Sequence, residues 1–321
     1  MEASLRRRTR DPKARLADFF DVAAGSGAGS VLVAMLVARG ADDARTLFSA
    51  EDALAFLVRS LRRGWSSSNG AGGGIRALFR RPASAPFRKV FGKLTLRDTA
   101  GPVLVPCYDL ATGAPFLFSR ADAAERPAYD FRLHDVCARR HVRRDGPVVV
   151  RGGDAVREFP LASGVEDLLV ISIGSGEGEQ RPAGGGGGAS TSEIVRIAAE
   201  GVSDMMDQAV AKAFGHSRAS NYIHIQAMGS PRARGGVTVA AEEMLSQKNV
   251  ESVLFRGKKK LGEQTNAEKL ERFAHELVKE RDRRASSTGA PAVVKQQSAA
   301  EDAAAPASFS NLVSQMLTSI L

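Results

Sequence analysis

The stretch DFFDVAAGSGAGSVLVAMLVARG, Asp18 to Gly40, contains the pattern that decides the fold. Its apolar segment Phe19–Ala24 predicts a buried strand, and the apolar run Ser30–Ala38 predicts a buried helix that ends at Gly40. Between them lies a tight turn with glycine at alternate positions, Gly25, Gly27 and Gly29. A strand, a turn and a helix in succession form the repeating unit of α/β folds.

Further apolar runs support this fold class. β-branched and aromatic residues bounded by turn residues predict strands at Val103–Tyr108, Pro115–Phe118 and Leu168–Ile173. Amphipathic patterns predict helices, which are Ala50–Arg63, Ser192–Phe214 and a last helix capped by Thr265 and running to Arg284. We therefore expect a mainly parallel sheet in which Phe19–Ala24, Val103–Tyr108 and Leu168–Ile173 are neighbours.

The charge balance favours contact with an anionic surface. The 321 residues carry a formal net charge of +9, and aromatic residues make up 6%. Basic residues cluster at five places, which are Arg6–Arg8, Arg62–Arg63, Arg80–Arg81, Arg139–Arg144 and Lys258–Lys260. Any single cluster is also compatible with ordinary solvated surface charge. Because no aromatic residues are interleaved with these clusters, a phospholipid surface is expected rather than nucleic acid.

The chain shows no targeting or membrane-spanning pattern. Its first residues, MEASLRRRTRDPKARL, lack the apolar core of a secretory signal, and the longest apolar run, Val31–Ala38, is too short to cross a bilayer. The two cysteines, Cys107 and Cys137, predict no disulfide scaffold and a reducing compartment. These features predict a cytoplasmic protein, with peripheral membrane attachment as an additional expectation.

Several segments resemble one known family. The stretch from Asp18 to Gly40, LVPCYDLATGAPFLFSR (104–120), DFRLHDVC (130–137), DLLVISIGSGE (167–177) and NVESVLFRGKKKLGEQTNAEKLERFAHELVKE (249–280) are similar to the corresponding segments of plant patatin-like lipid acyl hydrolases. The likeness is greatest to the patatin-like protein 3 subgroup, in which G-x-G-x-G replaces G-x-S-x-G. It covers roughly residues 5–284.

The resemblance implies a fold and a domain plan. The fold would be a patatin-like three-layer α/β sandwich that is incomplete at its N-terminus and shortened before Asp167. Residues 1–228 would form a partial patatin-like domain, residues 229–284 a C-terminal helical extension, and residues 285–321 an alanine-, serine- and proline-rich disordered tail.

The resemblance also implies a Ser–Asp dyad that hydrolyses phospholipids and galactolipids. The family's serine position, at the tip of the strand-to-helix elbow, corresponds here to Gly27, which has no nucleophile. Its neighbour Ser26 is a candidate nucleophile, but it lies one residue off the elbow tip, where its side chain should point elsewhere, and a turn hydroxyl bonded to local backbone is the simpler interpretation. Asp154 and Asp145 are candidate stand-ins for the aspartate, and both also fit ordinary turn positions.

The third part of the family's site is a glycine-rich loop whose backbone N–H groups stabilise the oxyanion. In the family this loop precedes the elbow, and the chain starts beyond the corresponding segment. GGGIR at Gly72–Arg76 resembles the loop motif but follows the elbow, so we interpret it as a coincidence. The glycine elbow could still hold a phosphate or carboxylate through backbone N–H groups at the helix start.

No cofactor or metal is expected. The five histidines show no metal-ligand spacing, and Cys107 and Cys137 have no Cys-x-x-Cys partner, so they are interpreted as apolar fillers. Three functional hypotheses remain open: a weak lipid acyl hydrolase, a catalytically silent relative that binds lipid or protein, and a defective truncated gene product. The expected partner is an anionic phospholipid or galactolipid membrane surface.

Overall fold

A computed structural model describes residues 1–40, 45–66, 84–109, 114–138, 167–174, 191–215, 221–228, 237–255 and 258–287. The described helices are α1 (Glu2–Thr9), α2 (Ala28–Val37), α3 (Ala50–Ser66), α4 (Ser84–Phe91), α5 (Arg120–Glu125), α6 (Leu133–Ala138), α7 (Thr191–Ala213), α8 (Val237–Ser246) and α9 (Asn266–Ser287). The described strands are β1 (Ala23–Ala24), β2 (Val103–Asp109), β3 (Ala114–Ser119), β4 (Val170–Ile173), β5 (Tyr222–Ile225), β6 (Lys248–Phe255) and β7 (Lys258–Thr265). The chain is therefore a mixed α/β protein.

The unit around the glycine turn forms largely as predicted. Strand β1 pairs in parallel with β2, and β2 pairs with β3 as an antiparallel hairpin. Helix α2 starts directly after Gly27 and confirms the predicted helix. The predicted strand Phe19–Ala24 is wrong in its first half, because a 3-10 turn at Leu16–Asp18 leaves Phe19 in the helical region of φ/ψ space. Only Ala23 and Ala24 are extended and paired with β2.

A second parallel pair lies in another ladder. Strand β4 pairs residue for residue with β5, from Val170 opposite Tyr222 to Ile173 opposite Ile225, and α7 connects the two strands. The strand at Leu168–Ile173 is thus confirmed. The prediction that this strand lies beside Val103–Tyr108 in one sheet is wrong. Among the residues described, no hydrogen-bonded ladder joins β4 to β1, β2 or β3.

The C-terminal segment contains strands that the sequence interpretation missed. Within the predicted helical extension, β6 and β7 form an antiparallel hairpin between α8 and α9. The capping box of α9 is confirmed: the Thr265 N–H donates to Glu268 at 2.8 Å, and the Glu268 N–H donates to the Thr265 hydroxyl at 3.2 Å. Helix α9 continues to Ser287, so residues 285–287 are helical and the rest of the predicted tail lies outside the described residues.

The two largest of three apolar clusters hold most of the described elements together. One surrounds α2 and β2 and includes Val31, Met35, Phe91 and Val103. The other joins α1 to α9, because Leu5 of α1, Ile223 and Ile225 of β5, and Phe273 and Leu277 of α9 pack into one core. The approach to the glycine turn belongs to this second cluster, since Phe19 and Phe20 pack against it. This burial explains why Phe19 and Phe20 leave the predicted strand.

Polar contacts reinforce the pairing of α1 with α9. The Ser4 hydroxyl donates to Glu271 at 2.6 Å, and Arg7 and Arg8 each lie 3.2 Å from the same carboxylate. The pKa of Glu271 lies below its usual value, and the hydrogen bond from Ser4 is the main cause. In the described part of the chain, no helix combines the length and the apolar composition needed to cross a bilayer.

Candidate functional site at the glycine elbow

The turn from β1 into α2 is fixed by three hydrogen bonds. The Gly25 N–H donates to the Leu104 carbonyl of β2 at 3.1 Å, which holds the end of β1 on its neighbour. Across the turn, the Gly29 N–H donates to the Ser26 carbonyl at 2.8 Å. The Ser30 hydroxyl donates to the Gly27 carbonyl at 2.7 Å and so ties the first turn of the helix to the tip. The residue at the tip is therefore held in a defined conformation.

Gly27 adopts φ 54° and ψ −120° at the N-cap of α2. L-amino acids rarely adopt this combination, whereas glycine, which lacks a Cβ, adopts it without strain. A Cβ placed on Gly27 would meet no atom within 4 Å, so the turn has space for a side chain there. The backbone thus presents an open elbow tip without a side chain on it.

Gly25 and Gly29 face different surroundings. A Cβ on Gly25 would lie 2.4 Å from the Gly29 carbonyl oxygen, whereas a Cβ on Gly29 would meet nothing within 4 Å. Since real Cβ atoms do not approach backbone oxygens so closely, only glycine fits at position 25 without a shift of the helix start. The close approach of the strand end to the first helical turn therefore depends on Gly25.

Comparison with known proteins places this elbow in a family. Over 325 residues the chain is 54% identical to "Patatin-like protein 3" of rice, in both the indica and japonica subspecies, covering 88% of this chain and 76% of the relative. The chain belongs to the plant patatin-like protein family. It is also 40% identical to "Patatin-like protein 7" of Arabidopsis thaliana, over 93% of this chain and 72% of that protein. No family model matches the chain.

Another relative in this family bears on activity. "Probable inactive patatin-like protein 9" of Arabidopsis thaliana is 36% identical to this chain, over 87% of this chain and 80% of that protein. The patatin-like family thus contains a protein whose name describes a loss of activity.

Of the candidate catalytic residues, the described part of the chain contains only the neighbours Ser26 and Gly27. Ser26 is half-buried on the turn, and its hydroxyl makes no hydrogen bond to a histidine or a carboxylate within the described ranges. Asp154, Asp145 and the Gly72–Arg76 segment lie outside the described residues. The assignments of Gly27 as the nucleophile position, and of Ser26 and Asp154 as candidate catalytic residues, stay predictions.

A polar cluster on the other parallel pair was missed by the sequence interpretation. Tyr222 of β5 donates a hydrogen bond to Asp207 of α7, and the same Asp207 oxygen lies 3.2 Å from Nδ1 of His224. The Ser172 hydroxyl of β4 lies 3.3 Å from that same nitrogen. The alternation in NYIHIQA (221–227) places Tyr222 and His224 on one face of the strand, and this was the available signal.

This cluster is not arranged as a catalytic relay. In a Ser–His–Asp triad the serine and the carboxylate occupy opposite ring nitrogens, so that one orients the imidazole while the other loses its proton. Here Ser172 and Asp207 both approach Nδ1 of His224, so the carboxylate competes with the serine. The cluster instead fastens α7 to the face of β4 and β5.

The cysteines occupy places that fit apolar fillers. Cys137 is buried in α6, and this burial raises the pKa of its thiol to about 12. Cys107 is half-buried on β2. Among the residues described, no group of three or more histidine, cysteine, aspartate or glutamate side chains is arranged to hold a metal ion.

This difference predicts the order of cysteine modification. Because the thiolate is the reactive form, Cys137 should resist alkylation at neutral pH in the native protein, and Cys107 should react first. Mass spectrometry after brief iodoacetamide treatment, with a urea-unfolded sample as control, measures both sites. Faster native alkylation of Cys137 than of Cys107 would contradict the burial of α6.

Proposed function

We propose that this patatin-like protein is a lipolytic acyl hydrolase relative that acts on membrane glycerolipids, both phospholipid and galactolipid, in lipid catabolism, and that its turnover is slow. One observation carries the proposal: the turn from β1 into α2 has the strand–turn–helix form of a hydrolase elbow, with Gly27 at its open tip in a conformation that L-amino acids rarely adopt. The elbow keeps the backbone that would present an acyl ester to the helix start. It lacks the hydroxyl that would attack the ester.

The expected slowness follows from the chemistry of acyl transfer. A serine enzyme attacks the ester carbonyl with an activated hydroxyl, and N–H donors stabilise the oxyanion. Glycine at position 27 can form no acyl-enzyme, so an ester bound here would need direct attack by water. Backbone N–H groups at the start of α2 could still polarise a carbonyl or hold a lipid phosphate. Loss of one oxyanion donor alone costs a serine protease on the order of 100-fold in rate.

The same observation favours a second candidate, a catalytically silent protein that binds lipid. Gly27 leaves the elbow without a nucleophile, and Ser26 has no histidine or carboxylate partner among the described residues. One relative is named probable inactive. In this alternative the fold serves to recognise the membrane surface. The proposed cytoplasmic, membrane-peripheral location and the anionic or galactolipid partner are common to both candidates.

The test compares fatty-acid release by the unmodified protein with that by Gly27→Ser. Serine at the tip has space, although its conformation is expected to cost about 1–3 kcal/mol. We expect no fluorophosphonate labelling of the unmodified elbow, slow release at most, and little gain from Gly27→Ser, because no base has been found beside the tip in the described residues. Phosphatidylcholine and monogalactosyldiacylglycerol micelles are the two substrates.

Matched variants separate the two candidates. Fatty-acid release that disappears in Ser26→Ala would assign the reaction to Ser26. The nucleophile position would then be residue 26 and not residue 27. Release that exceeds the uncatalysed rate and survives Ser26→Ala would support water attack at the glycine elbow. Release at the uncatalysed rate would select the silent candidate. If Gly27→Ser reached the turnover typical of serine esterases, a base and oxyanion donors would have to lie beside position 27, and the expected slow turnover would be wrong.

A further inference from the structure

Two hydroxyl residues of this chain follow a pair of arginines in the pattern Arg-Arg-x-Ser or Arg-Arg-x-Thr, and they are Thr9 and Ser286. Protein kinases choose their substrates partly by the charges beside the acceptor hydroxyl, and this pattern suits a kinase with an acidic substrate groove. The proposed hydrolase reaction uses neither hydroxyl. The structure distinguishes the two positions, because their side chains have different surroundings.

Thr9 is half-buried at the end of α1. Its hydroxyl donates to the Leu5 carbonyl at 2.9 Å, and the helix that contains both residues packs on α9 through the buried Leu5 side chain. Two of the arginines before Thr9, Arg7 and Arg8, share the Glu271 carboxylate of α9. Phosphate transfer to Thr9 would therefore require the contact between α1 and α9 to open.

Ser286 is exposed and lies one residue before the end of α9. Its hydroxyl donates to the Asp282 carbonyl, one helical turn earlier, at 2.8 Å. The ends of helices fray and open at a much lower free energy than the core of a protein. The last turn of α9 can therefore open and present Ser286 to another enzyme while the rest of the helix stays packed.

The two arginines before Ser286 are exposed and are balanced by neighbouring carboxylates. Their side chains are 69% exposed at Arg283 and 51% exposed at Arg284. Both lie 2.7 Å from Glu280, and these hydrogen bonds, chiefly that from Arg283, lower the pKa of Glu280 to about 2. Arg284 also pairs with Asp21 at 2.8 Å. Since exposed ion pairs contribute little to stability, both guanidinium groups can exchange these carboxylates for those of a kinase.

The end of α9 contacts the segment that leads into the glycine elbow. Arg284 donates to both carboxylate oxygens of Asp21, at 2.8 and 2.9 Å, and Asp21 lies just before β1. One turn earlier on α9, the guanidinium carbon of Arg281 lies 5.0 Å from the centre of the Phe19 ring. A change of charge in the last turn of α9 therefore acts directly on the approach to the elbow.

We propose that Ser286 is a phosphorylation site for a protein kinase that recognises Arg283 and Arg284, and that phosphate there loosens the contact between α9 and Asp21. In the transfer, the Ser286 hydroxyl oxygen forms a bond to the γ-phosphorus of a nucleoside triphosphate while the bond to the β,γ-bridging oxygen breaks. The hydroxyl proton passes to a base of the kinase, and the nucleoside diphosphate leaves. This modification goes beyond the proposed hydrolase function and does not depend on it.

A phosphate on Ser286 would meet three charges at the end of the helix. It would attract Arg283, three residues earlier, and repel Asp282, four residues earlier, and these two interactions are similar in size and opposite in sign. The negative end of the helix dipole adds a repulsion that nothing cancels. The last turn of α9 should therefore open more often, which removes Arg284 from Asp21.

Phosphate transfer in solution tests the site. The purified full chain is incubated with ATP, Mg²⁺ and the catalytic subunit of cyclic-AMP-dependent protein kinase, and phosphorylated residues are located by mass spectrometry. Ser286 should carry most of the phosphate, and Ser286→Ala should lose that phosphate. The matched control is Ser246→Ala, which removes an exposed serine at the end of α8 that no arginine precedes, and it should change nothing.

A second variant tests recognition by the arginines. Arg283→Gln with Arg284→Gln should slow transfer to Ser286 roughly 100-fold, because each charge-assisted hydrogen bond to the kinase contributes about tenfold. Circular dichroism verifies that the variant is folded.

The outcomes of these transfer experiments are distinguishable. Phosphate mainly at Thr9, or at neither residue, would overturn Ser286 as the site. An unchanged rate at Ser286 in the variant without the two arginines would overturn their part in recognition. Both experiments are made without lipid, so failure of the hydrolase proposal leaves them unaffected.

Amide hydrogen exchange tests the coupling to the elbow. The hydrogen-bonded amides of Ala23 and Gly25 should exchange roughly fivefold faster after phosphorylation of Ser286, as expected for a doubly charged group at the wrong end of a helix dipole. Asp21→Asn is the control, because it removes the ion pair beforehand, and phosphorylation should then add little at these amides. Equal exchange in the phosphorylated and unmodified proteins, or the same acceleration in Asp21→Asn, would overturn the coupling through Asp21.

Discussion

Replacing Gly25 with alanine is expected to lower the free energy of unfolding by about 3 kcal/mol, as for an overpacked core site. The added Cβ would lie 2.4 Å from the Gly29 carbonyl oxygen and 2.9 Å from the Ser30 nitrogen. Both atoms are backbone, so relief requires moving the start of α2 away from β1. That shift would also disturb the hydrogen bond from Gly25 to Leu104.

Gly29→Ala is the matched control for this prediction. The new Cβ would meet no atom within 4 Å, and the position lies in the first turn of α2. We expect a gain of about 0.5 kcal/mol, because alanine loses less conformational entropy than glycine on entering a helix. Urea denaturation monitored by circular dichroism measures both variants. Equal stability of Gly25→Ala and Gly29→Ala would show that the strand end does not contact the first helical turn.

Replacing Phe273 with alanine is expected to lower the free energy of unfolding by about 4 kcal/mol. The side chain is fully buried and stacks on Phe20 with ring centroids 6.2 Å apart. It lies in the cluster that contains Leu5 of α1 and Ile223 of β5. The cavity left by the ring would therefore loosen the packing of α1 against α9 and of the residues that lead into the elbow.

Phe273→Leu and Lys279→Ala provide the comparisons for this variant. Phe273→Leu should cost less than about 1.5 kcal/mol because it keeps most of the volume, so it remains measurable if the alanine variant does not fold. Lys279 is 71% exposed on the same helix, and its replacement should stay within about 0.5 kcal/mol. One cooperative transition is expected for all three. A separate transition confined to α9 would show that residues 229–284 unfold as an independent extension.

Local patterns predicted the elements whose conformation depends on neighbours in the chain. The glycine spacing and the apolar run after Gly29 predicted α2, and β-branched and aromatic residues bounded by turn residues predicted strands β2 and β3. The Thr265 and Glu268 spacing predicted the N-terminal cap of α9. In each case the hydrogen bonds close within a few residues, so the sequence nearby contains both partners.

Long-range contacts decided what these patterns did not predict. Phe19 and Phe20 have strand-forming composition, yet they pack against a cluster built on Phe273 of α9. Strand β4 was predicted beside β2 and pairs instead with β5. The β6–β7 hairpin was missed because KNVESVLFRGKKKLGEQT (248–265) shows no regular alternation, and the irregular register between Lys248 and Leu254 explains this.

The sequence by itself determined the family of this protein and the glycine at its elbow tip, because both are properties of residue identity in a short segment. Only the tertiary structure decided that Gly25 is sterically required while Gly27 has open space, since the Gly29 carbonyl that limits position 25 is placed by the packing of α2 on β2. It also decided which basic residues are balanced, because the partners Glu271 and Asp21 lie more than two hundred residues along the chain from Arg7 and Arg284. Steric and ionic contacts act through space, and the order of residues does not contain those distances.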